Sequence, residues 1–170
     1  IHLYENTDKD ILESMQIVKT IQEQNGEAGC NRYIISHSTD ATSVMEVYSL
    51  FLVAGWKVEK LTVDIVPLFE TVVDLQQAAK VMDELYQNKI YKKHLQLRGN
   101  KQIIMLGFSD GTKDGGYLMA NWSIYKAKDA LSKIAAKHKI SVVFFDGRGG
   151  PPARGGGKTH QFYASMGNNI

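Results

Sequence analysis

The chain has a single cysteine, Cys30. That rules out an internal disulfide framework and fits a reducing compartment. No apolar run is long enough to span a bilayer, and nothing at the start has the pattern of a signal peptide. Charge of one sign is also lacking: the formal net charge is +2, which exerts no bulk pull toward nucleic acid or a membrane surface. No internal repeat is visible beyond a recurring strand–helix unit, and only one glycine-rich stretch is of low complexity. What is present is ordinary for a soluble globular protein: 170 residues, 44% apolar and 22% charged. That is enough for one domain with a real core. The chain opens on Ile1 rather than methionine and closes on Met166-Gly-Asn-Asn-Ile170, which reads as a piece cut from a longer chain.

The glycine-rich stretch is Asp146-Gly-Arg-Gly-Gly-Pro-Pro-Ala-Arg-Gly-Gly-Gly157. It follows the apolar run 140–145, which reads as a buried strand. Glycine lets a ligand approach main-chain N–H groups, and arginine offers a planar fork of donors matched to phosphate and carboxylate oxygens. A loop with both, at a strand end, is a candidate anion clamp. A flexible solvated loop is the plainer reading, and the repeated Arg-Gly-Gly favours the clamp.

The rest of the chain alternates. A leading helix is predicted over 6–24, a strand over 33–36, and a helix carrying Val44, Val47, Tyr48 and Phe51 that stops at Gly55. A second strand follows over 61–68, then a helix with Val72, Leu75, Ala79, Met82 and Leu85 inward. Residues 88–101 read as a basic, irregular surface connection. A third strand over 102–106 runs into Gly107-Phe-Ser-Asp-Gly-Thr-Lys-Asp-Gly-Gly116, after which a long helix reaches about Lys137. The fourth strand and the glycine loop come next, and 160–165 can begin another helix. Strands alternating with helices predict an α/β fold with a parallel sheet. Both an open doubly wound sheet and part of a β/α barrel satisfy the spacing.

In either architecture the site collects at the carboxyl ends of the strands. Glu70 follows the second strand, Asp110 and Lys113 the third, Arg148 and Arg154 the fourth. Two carboxylates suit a hard divalent cation with water completing its shell, and three cations suit a phosphorylated or carboxylated substrate. Singly, each has a plainer explanation. Glu70 can be a first-turn acid, Asp110 and Asp114 turn residues, Lys113 a solvated lysine, and the arginines partners of neighbouring acids. Together, on successive strand ends, they point to a site. His37 reads as a packed or capping residue, and His94, His138 and His160 as surface residues. Trp122 and Tyr125 read as helix packing. Gly155-Gly-Gly-Lys-Thr159 resembles the end of a nucleotide-binding P-loop, but the motif's first glycine falls on Pro152. The two Arg-Gly-Gly triplets leave an alternative from another class: a non-catalytic α/β module binding phosphate or RNA.

Three stretches carry a more specific likeness: Val66-Pro-Leu-Phe-Glu-Thr71, Gly107-Phe-Ser-Asp-Gly-Thr-Lys-Asp-Gly115 and Gly147-Arg-Gly-Gly-Pro-Pro-Ala-Arg-Gly-Gly156. In order and approximate spacing, with Tyr33-Ile-Ile-Ser36 ahead of them, they resemble the phosphoenolpyruvate carboxylase family. The likeness runs from about Gly29 onward. It implies a partial (β/α)8 TIM-type barrel, about four consecutive βα units with a leading helix. Residues 1–28 would be the leading helix and connection, and 29–170 the partial barrel carrying the metal and substrate loops.

The resemblance further implies an anaplerotic, carbon-dioxide-fixing lyase of the cytoplasm. It would take phosphoenolpyruvate and bicarbonate to oxaloacetate and phosphate with Mg2+ or Mn2+, as a homo-oligomer, with no nucleic acid or membrane partner. Glu70 and Asp110 match the family's metal ligands. Arg148 matches the arginine on the substrate phosphate, Arg154 the loop arginine that steadies carboxyphosphate and keeps water out, and Lys113 the lysine near bicarbonate. The family's essential histidine lies in a His-Pro-Thr motif that has no match here, so the catalytic base is expected outside this chain, and the piece alone is expected to be inactive. Where the family usually has histidine this chain has Asp146, which implies an added negative charge beside Arg148. Phe108 stands for a usual tyrosine, and Pro151-Pro152-Ala153 should stiffen the loop.

Overall fold

The structure, a computed structural model, describes residues 6–147 and 158–165. Four parallel strands lie in the order of the sequence: β1 (Arg32–Ile35), β2 (Asp64–Phe69), β3 (Lys101–Gly107) and β4 (Ser141–Gly147). The helices are α1 (Asn6–Asn25), α2 (Ala41–Val53), α3 (Val72–Gln87), α4 (Lys89–Leu97), α5 (Ser109–Lys137) and α6 (Thr159–Ala164). Each βα connection steps to the next strand, with no topological switch point of the doubly wound kind among the described residues.

Side-chain alternation along the strands separates the two faces of the sheet. Ile35, Ile65, Phe69, Ile104 and Leu106 join one core with Val44, Tyr48 and Phe51 of α2, the stripe Leu75, Ala78, Met82 and Leu85 of α3, and Ala120, Ile124, Ala127 and Leu131 of α5. The opposite face is bare among the described residues. Ile34, Val143 and Phe145 are exposed there and line an open concavity with Arg32, Val66 and Ile103. The architecture is thus a four-stranded parallel α/β sheet covered by helices on one face.

Local chemistry sets the element ends. The Asp40 carboxylate caps α2 by accepting from the Ser43 N–H at 2.8 Å, and α2 gives way to Gly55 at φ 96°, a value glycine adopts freely. Thr71 and Asp74 form a reciprocal capping box at the start of α3. Strand β2 begins at Asp64, later than the predicted residue 61: Leu61 and Val63 are buried but follow a 3-10 turn, Val58–Lys60.

Several expectations are overturned. Residues 88–101 are not an irregular surface connection, because α4 lies within them. Asn88 caps it by accepting from the Ile90 and Tyr91 N–H groups, and Tyr91, His94 and Leu95 are buried on one face. His94 is therefore a core residue, at 1% exposure. His138 is not fully at the surface either: Nε2 lies 2.6 Å from Asp83 Oδ1 and the side chain is largely covered. His160 is exposed as read. Trp122 and Tyr125 do not pack into the core. They stack on each other at the surface, ring centroids 5.6 Å apart, with Lys126 Nζ over the Trp122 ring. The long helix also starts earlier than predicted, at Ser109, and is broken at Gly116, whose φ of 78° lies outside the helical region.

His94 gives the fold an acid sensitivity. It packs between Tyr48 and Tyr91, centroids 5.4 and 5.8 Å away. Burial pushes its imidazole down to about 4, and the Arg98 charge acts in the same direction. An unfolded histidine titrates near ~6.5, so between these values the unfolded chain takes up a proton that the native chain refuses. The contribution is complete above about pH 6.5 and is lost as pH falls, about 3 kcal/mol in all by pH ~4. Denaturant unfolding across this range should show the loss, and His94→Phe should flatten it. An equally steep acid loss in the variant would assign the sensitivity elsewhere.

Candidate functional site

The row of residues at the carboxyl ends of the strands is unusual for what it leaves out. Leu106 pairs with Phe69 and Gly107 with Gly147, so the next step along β2 brings Glu70 beside Gly107. A Cβ on Gly107 would stand 3.0 Å from Glu70 Cα and 3.4 Å from its Cγ. A Cβ on Gly111 would stand 3.4 Å from the Glu70 carbonyl oxygen. On the other flank, a Cβ on Gly147 would meet Met105 Cε at 2.8 Å and the Leu106 carbonyl oxygen at 3.1 Å. Across three adjacent strand ends, Glu70 is the one position of the row with a side chain.

The backbone at Glu70 is fixed from below. The N–H groups of Glu70 and Thr71 both donate to Asp74 Oδ2, at 3.3 and 3.0 Å. Glu70 precedes the cap residue Thr71, and the acid that serves the helix end is Asp74. Glu70 thus lies just before the first turn of α3, and the acid within that turn is Asp74. Its carboxylate is half-buried and has no partner among the described residues.

Asp110 sits in the first turn of α5, directly after β3 and between Gly107 and Gly111. Its carboxylate accepts from Lys113 Nζ at 2.9 Å, one helical turn on, with both side chains well exposed. Such a pair is weak and exchangeable. Phe108, by contrast, is buried and packs edge-on to Tyr117. Glu70, Asp110 and Lys113 thus share one rim. Arg148 and Arg154 lie outside the described residues. Among the described residues no group of three or more His, Cys, Asp and Glu side chains gathers as a ready metal cage. What the rim offers is two hard carboxylates on neighbouring strand ends, with the main chain at Gly107 and Gly111 packed closely against Glu70. That donor set fits Mg2+ or Mn2+ with water or substrate completing the shell.

Asp146 does not stand as an uncompensated negative charge. It faces α5, where Lys128 Nζ lies 2.9 Å from Oδ1 and 3.0 Å from Oδ2, the latter with hydrogen-bond geometry. Both side chains are almost fully buried, at 3% and 5% exposure. No helix of the described residues is long and apolar enough to cross a membrane.

Comparison with known proteins adds what this geometry alone does not. The family described as "Phosphoenolpyruvate carboxylase" matches residues 2–166. Proteins of that name share 42% identity over 154 residues in Nitrosomonas europaea, 38% over 162 in a Synechococcus species and 35% over 156 in Gloeobacter violaceus. These alignments cover 88%, 93% and 90% of this chain, but only 16%, 15% and 17% of the relatives.

Proposed function

The chain belongs to the phosphoenolpyruvate carboxylase family, and we propose that the protein it forms part of carboxylates phosphoenolpyruvate with bicarbonate, giving oxaloacetate and phosphate. The single observation that carries the reading is the row Glu70–Gly107–Gly147: a carboxylate with no partner among the described residues, held by its backbone, followed along the rim by two glycines packed too closely for side chains. The four parallel strands are then half of a (β/α)8 barrel, and the bare face with Ile34, Val143 and Phe145 is its interior. The enzyme is cytoplasmic and a homo-oligomer on this reading.

Glu70 and Asp110 would hold the divalent cation, with Asp110 giving up its contact to Lys113; bound there, it would supply positive charge to an oxygen that gains negative charge during the reaction. Lys113, then free of Asp110, would attract bicarbonate. Arg148 grips the phosphate of phosphoenolpyruvate through its planar fork. Bicarbonate oxygen attacks phosphorus, the bond from phosphorus to the enol oxygen breaks, and carboxyphosphate and pyruvate enolate result. Arg154 steadies carboxyphosphate while water is kept out. Carboxyphosphate divides into phosphate and carbon dioxide, and the enolate carbon takes up the carbon dioxide. The base that serves this sequence lies outside the chain.

The full-length protein should form oxaloacetate and phosphate in equal amounts from phosphoenolpyruvate and bicarbonate, only with Mg2+ or Mn2+ present. Phosphate release with no oxaloacetate would refute the assignment. Gly107→Ala should be disproportionately harmful. Its new methyl meets backbone, not a flexible side-chain end, so the rim must move. Misplacement on that scale should lower kcat/KM by on the order of 10-fold or more. Unchanged kinetics would show that the close fit of Gly107 against Glu70 does not position the site.

A further inference from the structure

We infer that Lys128 is a positioning residue for this site, acting through Asp146 on the end of β4. The inference rests on the carboxylase reading above. Along β4, Val142, Phe144 and Asp146 turn toward the helix layer, and the intervening Val143, Phe145 and Gly147 face the concave side. Asp146 is therefore the last helix-facing anchor before Gly147, the residue that closes the glycine row beside Glu70. Gly147 has no side chain to hold its own place, yet it is tightly fitted against Met105 and the Leu106 carbonyl. It is held by its pairing with Gly107 in the β3 ladder and by the neighbour bonded to it, whose carboxylate is gripped by Lys128.

Lys128 reaches that neighbour from 18 residues upstream, inside α5. Its ammonium touches both carboxylate oxygens and lies 5.7 Å from the Phe144 ring centre. A buried ion pair is a poor source of net stability, because desolvation offsets most of the attraction, and apolar replacements of similar volume often serve as well. Its distinctive property is direction. Two close oxygen contacts set where the Asp146 carboxylate points, whereas an apolar pair at this spot would tolerate sliding. Asp110 and Lys113 lie on the short segment of α5 before its break at Gly116, and Lys128 on the long segment after it. The pair thus ties the β4 end to the long segment, which packs on the sheet.

The test uses the full-length enzyme. Lys128→Met alone strands a buried carboxylate, so the informative variants are the doubles K128M/D146L and K128Q/D146N, with K128R as the conservative control. Positioning predicts doubles that keep the wild-type thermal transition while KM for phosphoenolpyruvate rises by on the order of 10-fold and kcat changes far less. It also predicts faster amide exchange confined to 146–147 and the adjoining end of β3, with K128R near wild type in every readout. Wild-type KM in either double overturns the inference. So does a rise in KM that comes only with a lowered thermal transition and general loss of exchange protection, since that is the mark of a purely structural pair. The exchange readout does not depend on turnover. A wild-type enzyme that made no oxaloacetate would sink the carboxylase reading, while the exchange pattern would still decide whether the pair sets the β4 end.

Discussion

Replacing Glu70 with glutamine in the full-length enzyme is expected to lower carboxylation by on the order of 10²–10³-fold with little loss of stability. Both halves of that expectation come from its surroundings. Its place is set by backbone donation to Asp74 and by close packing of Gly107 and Gly111 against its main chain. The carboxylate itself has no structural partner among the described residues. Glutamine keeps the shape and the backbone bonds and removes only the charge. Asp110→Asn should show the same separation of activity from stability, because its contact with Lys113 is exposed and weak. A Glu70→Gln enzyme with near-normal turnover would remove Glu70 from the site. A variant that failed to fold would recast it as a structural acid.

The second large effect concerns stability at the opposite end of the sheet. Arg98 follows α4 and joins three elements. Its Nε lies 2.6 Å from Asp64 Oδ1 at the start of β2, and its guanidinium is 2.8 Å from Glu27 Oε1 in the turn before β1. The Asp64 side chain is only 6% exposed. Arg98→Ala leaves that carboxylate buried without its cation, which should cost about 3–5 kcal/mol. A double replacement, Arg98→Met with Asp64→Leu, should recover most of the loss, because the penalty belongs to the stranded charge and not to the missing pair. Thermal unfolding separates the cases. A single variant as stable as wild type would mean that water or another group reaches Asp64.

The strands, and the helices with apolar stripes, could be read from the chain because their signals are local. The stripe Leu75–Met82–Leu85 of α3 and the β-branched run of β2 each declare their element within one or two turns. Helix α4 was hidden by its solvent face. Lys89, Lys92 and Lys93 dominate the composition, while the buried face is short and includes a histidine. The usable signal was Asn88 as a cap followed by Tyr91, His94 and Leu95 at helical spacing. The turn at 109–115 read as loop because glycine is a poor helix former. Packing overrides that preference, since a side chain at Gly107 would crowd Glu70 and one at Gly115 would sit 2.9 Å from Met119 Cγ.

Glu70, Asp110 and Lys113 were legible as site candidates because each directly follows a strand, and the sheet brings those ends together. The Lys128–Asp146 pair was not. Lys128 lies among Lys126, Asp129 and Lys133 in the sequence, and only the packing of α5 on β4 turns it inward. No periodicity within either segment encodes that meeting.

Whether the two rim carboxylates share one cation is tested most directly by counting Mn2+ bound to the full-length protein by electron paramagnetic resonance, which does not require turnover. One tight Mn2+ per chain is expected, lost in both Glu70→Gln and Asp110→Asn while the thermal transition stays in place. Undiminished Mn2+ binding in either variant would contradict the shared site.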